Sequence, residues 1–333
     1  MFDLLIGFRR KRNRATSGKG FKEIVPSMAF RLDRMTEIVE CVPNFSEGRR
    51  TEVVDAIVDA IASVTDVRVL DREMDADHNR SVITLVGTRT AVAEAAFRGA
   101  KSAVASIDMN HHKGEHPRVG ALDVLPFVPI AGVTMEDCVA LARSVGKRIA
   151  DELHVPVYLY EAAATRPERR ALPDVRRGEY EGLKTAIETD PDRKPDFGPA
   201  RLHPTAGASI VGARPILIAW NVNLRSTDIG IAKRIAKAIR ESDGGLPAVR
   251  AKGFALTDRG LVQVSMNMVD YRKTSLATAY EAIRGLAAKE GVEIAESEVI
   301  GLVPLDAIVE GATQYFKLPR FHRNQVLEAR LWE

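Results

Sequence analysis

Cysteine is nearly absent, with only Cys41 and Cys138 in 333 residues. They form no C-x-x-C pair, which excludes a disulfide framework, and a reducing, cytoplasmic setting is expected. No apolar run reaches the roughly 20 residues that span a bilayer, so no membrane partner is expected. Arg9-Arg10-Lys11-Arg12 follows a very short apolar stretch, the reverse of a secretory signal. Aromatic residues make up 6% and the net charge is +3. Without a large basic surplus or a repeated aromatic-basic motif, no nucleic-acid partner is expected. Neither G-x-x-x-x-G-K-[ST] nor G-x-G-x-x-G after a strand occurs, which removes the common nucleotide-binding loops. What is present is ordinary: 45% hydrophobic and 28% charged residues, in a chain long enough for two modest domains.

The hydrophobic period alternates between two and 3.6 along most of the chain. Residues 38–42 form a strand by this criterion, and Asn44-Phe45-Ser46-Glu47-Gly48 a turn into a helix carrying Val53, Val54, Ile57, Val58 and Ile61. Strands follow at 67–70 and 82–86, a helix at 91–107, a strand at 124–128, a helix at 135–153 and a strand at 155–159. The order recurs with a strand at 216–222, a helix at 228–239, paired strands at 249–256 and 261–266, a helix at 275–289 and a last strand ending near 300–303. The expected fold class is α/β (α+β): two similar β-α-β-β-α-β subdomains, each an antiparallel or mixed sheet with helices on one face, and a ligand groove between them.

The expected divisions are an unordered N-terminal extension at 1–35, with Met28 and Met35 as alternative starts, and an N-terminal subdomain with its connecting segment at 36–212. A C-terminal subdomain follows at 213–311 and a tail at 312–333. The boundary lies within 161–212, a polar, proline-rich stretch long for a structureless connection.

The densest polar cluster is Asp108-Met109-Asn110-His111-His112-Lys113-Gly114-Glu115-His116-Pro117-Arg118, which holds three of the seven histidines. A metal site there lacks the i, i+4 ligand pair of a helix, because Gly114 and Pro117 break any helix. A solvent-facing polar loop is a second reading. Acid–base catalysis is the third: Pro117 biases His116 toward extended backbone, Glu115 and Arg118 would adjoin its imidazole, and histidine both takes and returns protons near neutral pH. Spacing alone does not choose among them.

The residues 40–48 (Glu-Cys-Val-Pro-Asn-Phe-Ser-Glu-Gly), Gly114-Glu115-His116-Pro117-Arg118 with Gly120-Ala121-Leu122-Asp123-Val124, and Pro156-Val157-Tyr158-Leu159-Tyr160 occur in a recognisable order. Arg177-Gly178-Glu179-Tyr180-Glu181, Asp196-Phe197-Gly198-Pro199, Gly212-Ala213-Arg214 and Asn221-Val222-Asn223-Leu224 continue it. From about Thr36 to about Gly311 the chain resembles the formiminotransferase family, the glutamate formimidoyltransferases of histidine breakdown. The resemblance implies two similar α/β subdomains with folate in the groove between them. It implies that His116 is the catalytic acid/base and that Gly198, Pro199, Ala200, Arg201, Leu202, His203, Pro204, Thr205, Ala206 and Gly207 border the folate. Bifunctional animal members carry a tryptophan at the place of Ala206 and a cyclodeaminase domain, so a monofunctional form is expected here. A homodimer is implied as well.

The implied reaction passes a formimino group from N-formimino-L-glutamate to N5 of tetrahydrofolate, free or polyglutamylated. Tetrahydrofolate serves as co-substrate, with no metal and no tightly bound cofactor expected. Carboxylates of both substrates suit guanidinium groups; Arg80, Arg118 and Arg214 are the candidates. Asn44, Asn79 and Asn221 are candidate hydrogen-bonding residues, although helix capping explains Asn44 equally well, and Glu47 fits a helix start better than catalysis. A covalent route through a Cys41 thiolate lacks any activating surroundings in the sequence. Two rival functions share the fold: a glutamate formyltransferase moving a formyl group, and a non-catalytic folate- or anion-binding module.

Overall fold

The computed structural model describes residues 36–327 and 329; the expected unordered extension at 1–35 lies outside the described residues. The first half is built on a seven-stranded sheet. Strands β1 (Ile38–Cys41) and β2 (Asn44–Phe45) form one line broken at Pro43, and both pair antiparallel with β4 (Arg80–Gly87) and β5 (Leu122–Ala131). Proline has no N–H to give to a ladder, and the carbonyl of Pro43 still accepts from Ile83 N at 3.1 Å. The edge strand β3 (Val67–Asp75) pairs antiparallel with β4. Helices α1 (Thr51–Ala62), α2 (Arg89–Ser106) and α3 (Met135–Leu153) bury their apolar stripes on one face of this sheet. Thr134 and Asp137 close a reciprocal capping box at the start of α3, whose bounds match the helix expected at 135–153.

The second half is a four-stranded antiparallel sheet in the order β11 (Ile294–Ile300), β8 (Ile218–Leu224), β10 (Leu261–Met268), β9 (Val249–Leu256). Strand period dictates its two faces. Val262, Val264, Met266 and Met268 join the core under α6 (Ile229–Ile239) and α7 (Leu276–Lys289), while Gln263, Ser265 and Asn267 face the other way. The order β5-β1-β4-β3 in the first half matches β11-β8-β10-β9 in the second, so both halves repeat one β-α-β-β-α-β plan.

The first sheet departs from that plan. Strand β6 (Val157–Glu161) pairs parallel not with β5 but with β7 (Ser209–Ala213), which in turn lies parallel beside β5. The sequence reading treated β7 as part of the connection. Ser209-Ile210-Val211-Gly212-Ala213 is short, three of its five residues are small, and its partners lie far away in sequence, so nothing local marks it as a strand. The connection also folds α4 (Leu172–Val175) and α5 (Glu179–Thr189), whose Val175, Leu183 and Ile187 cover the second face of β6 and β7. Helix α8 (Leu305–Tyr315) packs on α7 and runs through position 311. Among the described residues no helix is long and apolar enough to cross a membrane.

Candidate active site

A cavity with about 510 Å³ of empty space, counted out into open solvent, takes its walls from both sheets. Asn44 of β2, Arg80 of β4, Tyr160 of β6, His116 and Arg176 come from the first half, and Arg250 of β9 and Asn267 of β10 from the second. Arg214, just after β7, also lines a neighbouring space of about 580 Å³ that holds Glu40, Asp71 and Glu73. The halves are tied directly by Arg250 and Glu161 at 2.9 Å, and by Gly301 N donating to Glu73 at 3.2 Å.

The floor of the first wall is a buried charge cluster. Asp123 is fully buried and its Oδ2 accepts from Arg80 at 2.7 Å and from Arg176. Its Oδ1 accepts from Val119 N at 2.9 Å. Burial alone would raise this carboxyl, but the guanidiniums of Arg176 and Arg80 prevail and hold it below its ordinary value. Arg80 also donates to Asn44 Oδ1 through Nη2 at 2.8 Å and Nε at 3.2 Å. Asn44 Nδ2 donates to Val42 O at 2.7 Å, so this asparagine orients Arg80 and caps no helix. The helix start is served by Glu47, whose Oε1 accepts from Arg49 N and Arg50 N, both at 2.9 Å.

His116 is 4% exposed, and its Nδ1 lies 2.7 Å from Pro117 O. A carbonyl only accepts, so Nδ1 carries the proton and Nε2 keeps the lone pair in the neutral ring. Burial first, then the charges of Arg80 and Arg176, lower its pKa well below that of an ordinary histidine, against the opposing bond to Pro117. The imidazole is therefore a neutral base at physiological pH. Burial also pushes the Tyr160 phenol up to about 12, leaving a neutral hydroxyl in the same wall.

A family model described as the formiminotransferase domain, N-terminal subdomain, matches residues 38–214, and one described as the formiminotransferase domain matches 219–328. The chain belongs to the formiminotransferase family. A glutamate formimidoyltransferase of Thermoplasma acidophilum is 52% identical over 296 residues, covering 88% of this chain and 97% of that protein. One from Streptococcus pyogenes is 48% identical over 298 residues, covering 89% and 99%. The formimidoyltransferase-cyclodeaminase of Rattus norvegicus is 44% identical over 309 residues, covering 89% of this chain and 57% of its own length.

The three clustered histidines diverge. The His111 side chain is 86% exposed. His112 bonds Asn79 O through Nε2 at 2.9 Å and accepts from Arg118 Nε at 3.2 Å, a structural arrangement. Only His116 reaches the cavity. Arg118 does not adjoin the His116 imidazole as expected: it turns to Glu181 at 2.6 Å and Glu179 at 3.2 Å, and also donates to His112. Glu115 is exposed. Asn79 adopts φ +47°, and its amide joins Gly48 N at 3.0 Å to Lys113 O at 3.1 Å, pinning two loops rather than lining the cavity.

The stretch from Gly198 to Gly207 lies behind the 108–121 loop, and none of its residues lines the 510 Å³ cavity. Thr205 O accepts from Met109 N at 2.8 Å, Ala206 O from Ala121 N at 2.8 Å, and Pro204 O from Asn110. His203 Nδ1 accepts from Ala206 N at 3.0 Å. Gly198 has φ +85° and Leu202 packs on the core, while Ala200 and Arg201 are exposed and Pro199 is half-buried.

Sequence reasoning missed Asp123, Arg176, Tyr160, Arg250 and Asn267. Asp123 had a usable signal, an acid inside the otherwise apolar run 121–128. Arg176 had none, because it reaches the cavity from the connection. Asn221 is fully buried on the inner face of the second sheet and does not line the cavity; its Nδ2 donates to Glu298 at 3.3 Å.

Proposed function

We propose that this chain transfers the formimino group of N-formimino-L-glutamate to N5 of tetrahydrofolate, releasing glutamate and 5-formiminotetrahydrofolate, with His116 carrying the proton. The observation that supports this most is a buried neutral imidazole with its lone-pair nitrogen at Nε2, in a cavity shared by both halves and surrounded by guanidiniums. N5 attacks the amidine carbon and a C–N bond forms. Nε2 takes the proton that N5 must lose and returns it to the glutamate nitrogen as the old C–N bond breaks. Such a shuttle contributes about 10²–10⁴-fold, and holding both substrates in one cavity adds the advantage of orientation.

The carboxylates of the substrates are assigned to the cationic wall of Arg80, Arg176 and Arg214. An anion there offsets the positive potential that depresses His116, so base strength rises when substrate binds. The acid limb of kcat is then expected at higher pH than that of kcat/KM, since the first reports the substrate complex and the second the free enzyme. The assay is direct: enzyme, tetrahydrofolate and either N-formiminoglutamate or N-formylglutamate are mixed, and the folate product is identified. Product from the formyl donor alone, or an unchanged rate in His116→Ala, would overturn the assignment. A cytoplasmic homodimer is the expected working form, which sedimentation of the purified chain checks.

A further inference from the structure

The turn joining β3 to β4 holds a histidine with no task in the site described so far. The His78 ring centroid lies 6.0 Å from that of His116, with the planes tilted by 57°. Both ring nitrogens of His78 are buried and have no hydrogen-bond partner. Native structures rarely leave such atoms unpaired without a reason.

The seat of this ring is built by the chain around it. His78 N donates to Asp75 Oδ1 at 2.7 Å, and the next residue is the loop-pinning Asn79. Gly114, in the loop that carries His116, packs so closely on the turn that a Cβ there would sit 2.2 Å from His78 O. A side chain at that position would push the two histidines apart. Gly114 therefore sets the spacing of the imidazole pair.

We propose that His78 is a positioning residue for the transfer, acting through His116 as the neighbouring imidazole that helps set when His116 accepts a proton. The inference rests on the reading of His116 as the proton carrier. The groups facing His116 are Arg80 from β4, Arg176 from the end of α4 and His78 from the turn, with Asp123 of β5 bound to both arginines. Facing His78 are the His116 ring and, at its backbone, the Asp75 carboxylate. Beside burial and the two arginines, the charge of His78 is one of the influences that lower His116.

The test compares wild type with His78→Gln and His78→Ala in the full chain, by two readouts. NMR titration of the His116 ring without substrates is expected to show its pKa rising in both variants, by roughly half a unit to one unit, because a like-charge neighbour is removed. Steady-state rates against pH are expected to show the acid limb of kcat/KM displaced upward to match. KM for both substrates is expected to change little. Glutamine keeps polar atoms in the seat, so a folding failure of the alanine variant leaves the glutamine variant to decide. A variant that loses thermal stability while His116 titrates as in wild type overturns the proposal and marks His78 as structural. A shifted titration in a protein that forms no 5-formiminotetrahydrofolate would leave the pair standing and sink the assigned reaction instead.

Discussion

The two halves share a strand order and differ in what they turn toward each other. The inner wall of the first carries ionisable groups, Asp123, Arg80, Arg176 and His116, knotted around one fully buried carboxylate. The centre of the second's inner face carries neutral groups, Asn221, Asn223, Gln263, Ser265 and Asn267, all nearly inaccessible, flanked by Arg250 of β9 and by Glu298 and Glu296 of β11, which accept from Asn221 and Asn223. In the first wall Asp123 accepts three bonds, as a buried charge requires. In the second, Asn221 Oδ1, Ser265 Oγ and Asn267 Oδ1 have no partner. One plan has been divided between two chemistries: a wall built around a buried charge cluster that moves protons, and a wall whose centre is neutral hydrogen-bonding groups with charges only at its margins.

The comparison breaks first at His116. His116→Ala is expected to lower kcat by about 10²–10⁴-fold while folate affinity, measured by equilibrium titration, changes little; an unaffected rate would mean that the first wall is not the catalytic one. Next comes Asp123→Ala, which leaves two buried guanidiniums without their shared carboxylate and is expected to cost about 3–5 kcal/mol of unfolding free energy in urea. Ser265→Ala on the opposite wall, where no hydrogen bond is lost, is expected to fall within about 0.5 kcal/mol of wild type. Equal losses at the two positions would erase the distinction.

The same contrast predicts a pH dependence. The folded pKa of His116 is depressed below its unfolded value, so between the two values the unfolded chain binds a proton that the native one does not. Stability therefore falls as pH drops below the ordinary histidine value of about 6.5. His116→Ala is expected to flatten this part of the urea midpoint against pH, and an unchanged slope would assign the proton uptake elsewhere.

Periodicity made most of the fold legible. Helix α3 begins and ends where the sequence placed it, because its cap and apolar stripe are both local signals. Strand β7 was hidden because a parallel strand depends on distant partners. At the site, motifs marked residues without distinguishing their jobs. His116 and Arg80 face the cavity, yet Arg118, two residues from His116, is turned away by Glu179 and Glu181. The motif residue Asp196 accepts from Leu159 N at 2.8 Å and from Arg169 at 2.5 Å, clasping the connection rather than lining the cavity. Arg176 entered unannounced because a salt bridge spanning 53 positions leaves no trace in local spacing.

The second wall offers a smaller test. Asn267 lines the cavity opposite His116, and Asn267→Ala is expected to lower kcat/KM about tenfold, the worth of one hydrogen bond of about 1.4 kcal/mol. Stability should be nearly untouched. A loss as large as that of His116→Ala would show that the neutral wall shares in the chemistry.

The smallest expected effect belongs to Cys41, which sits on β1 at the centre of the first sheet with no exposure. Burial, then the charge of Glu40, pushes its thiol well above the ordinary value against the pull of Arg214. A thiol so held is a poor source of thiolate, and it is the thiolate that attacks carbon. Cys41→Ala should therefore leave kcat within about twofold of wild type and cost about 1 kcal/mol of stability from lost packing. Rapid quenching of the wild-type reaction should trap no enzyme-bound formimino group. If turnover collapsed in the variant and wild type gave a mass increase on the peptide containing Cys41, the transfer would proceed in two covalent steps. His116 would then serve to activate a thiol, and the direct passage of the group between two substrates in one cavity would be wrong.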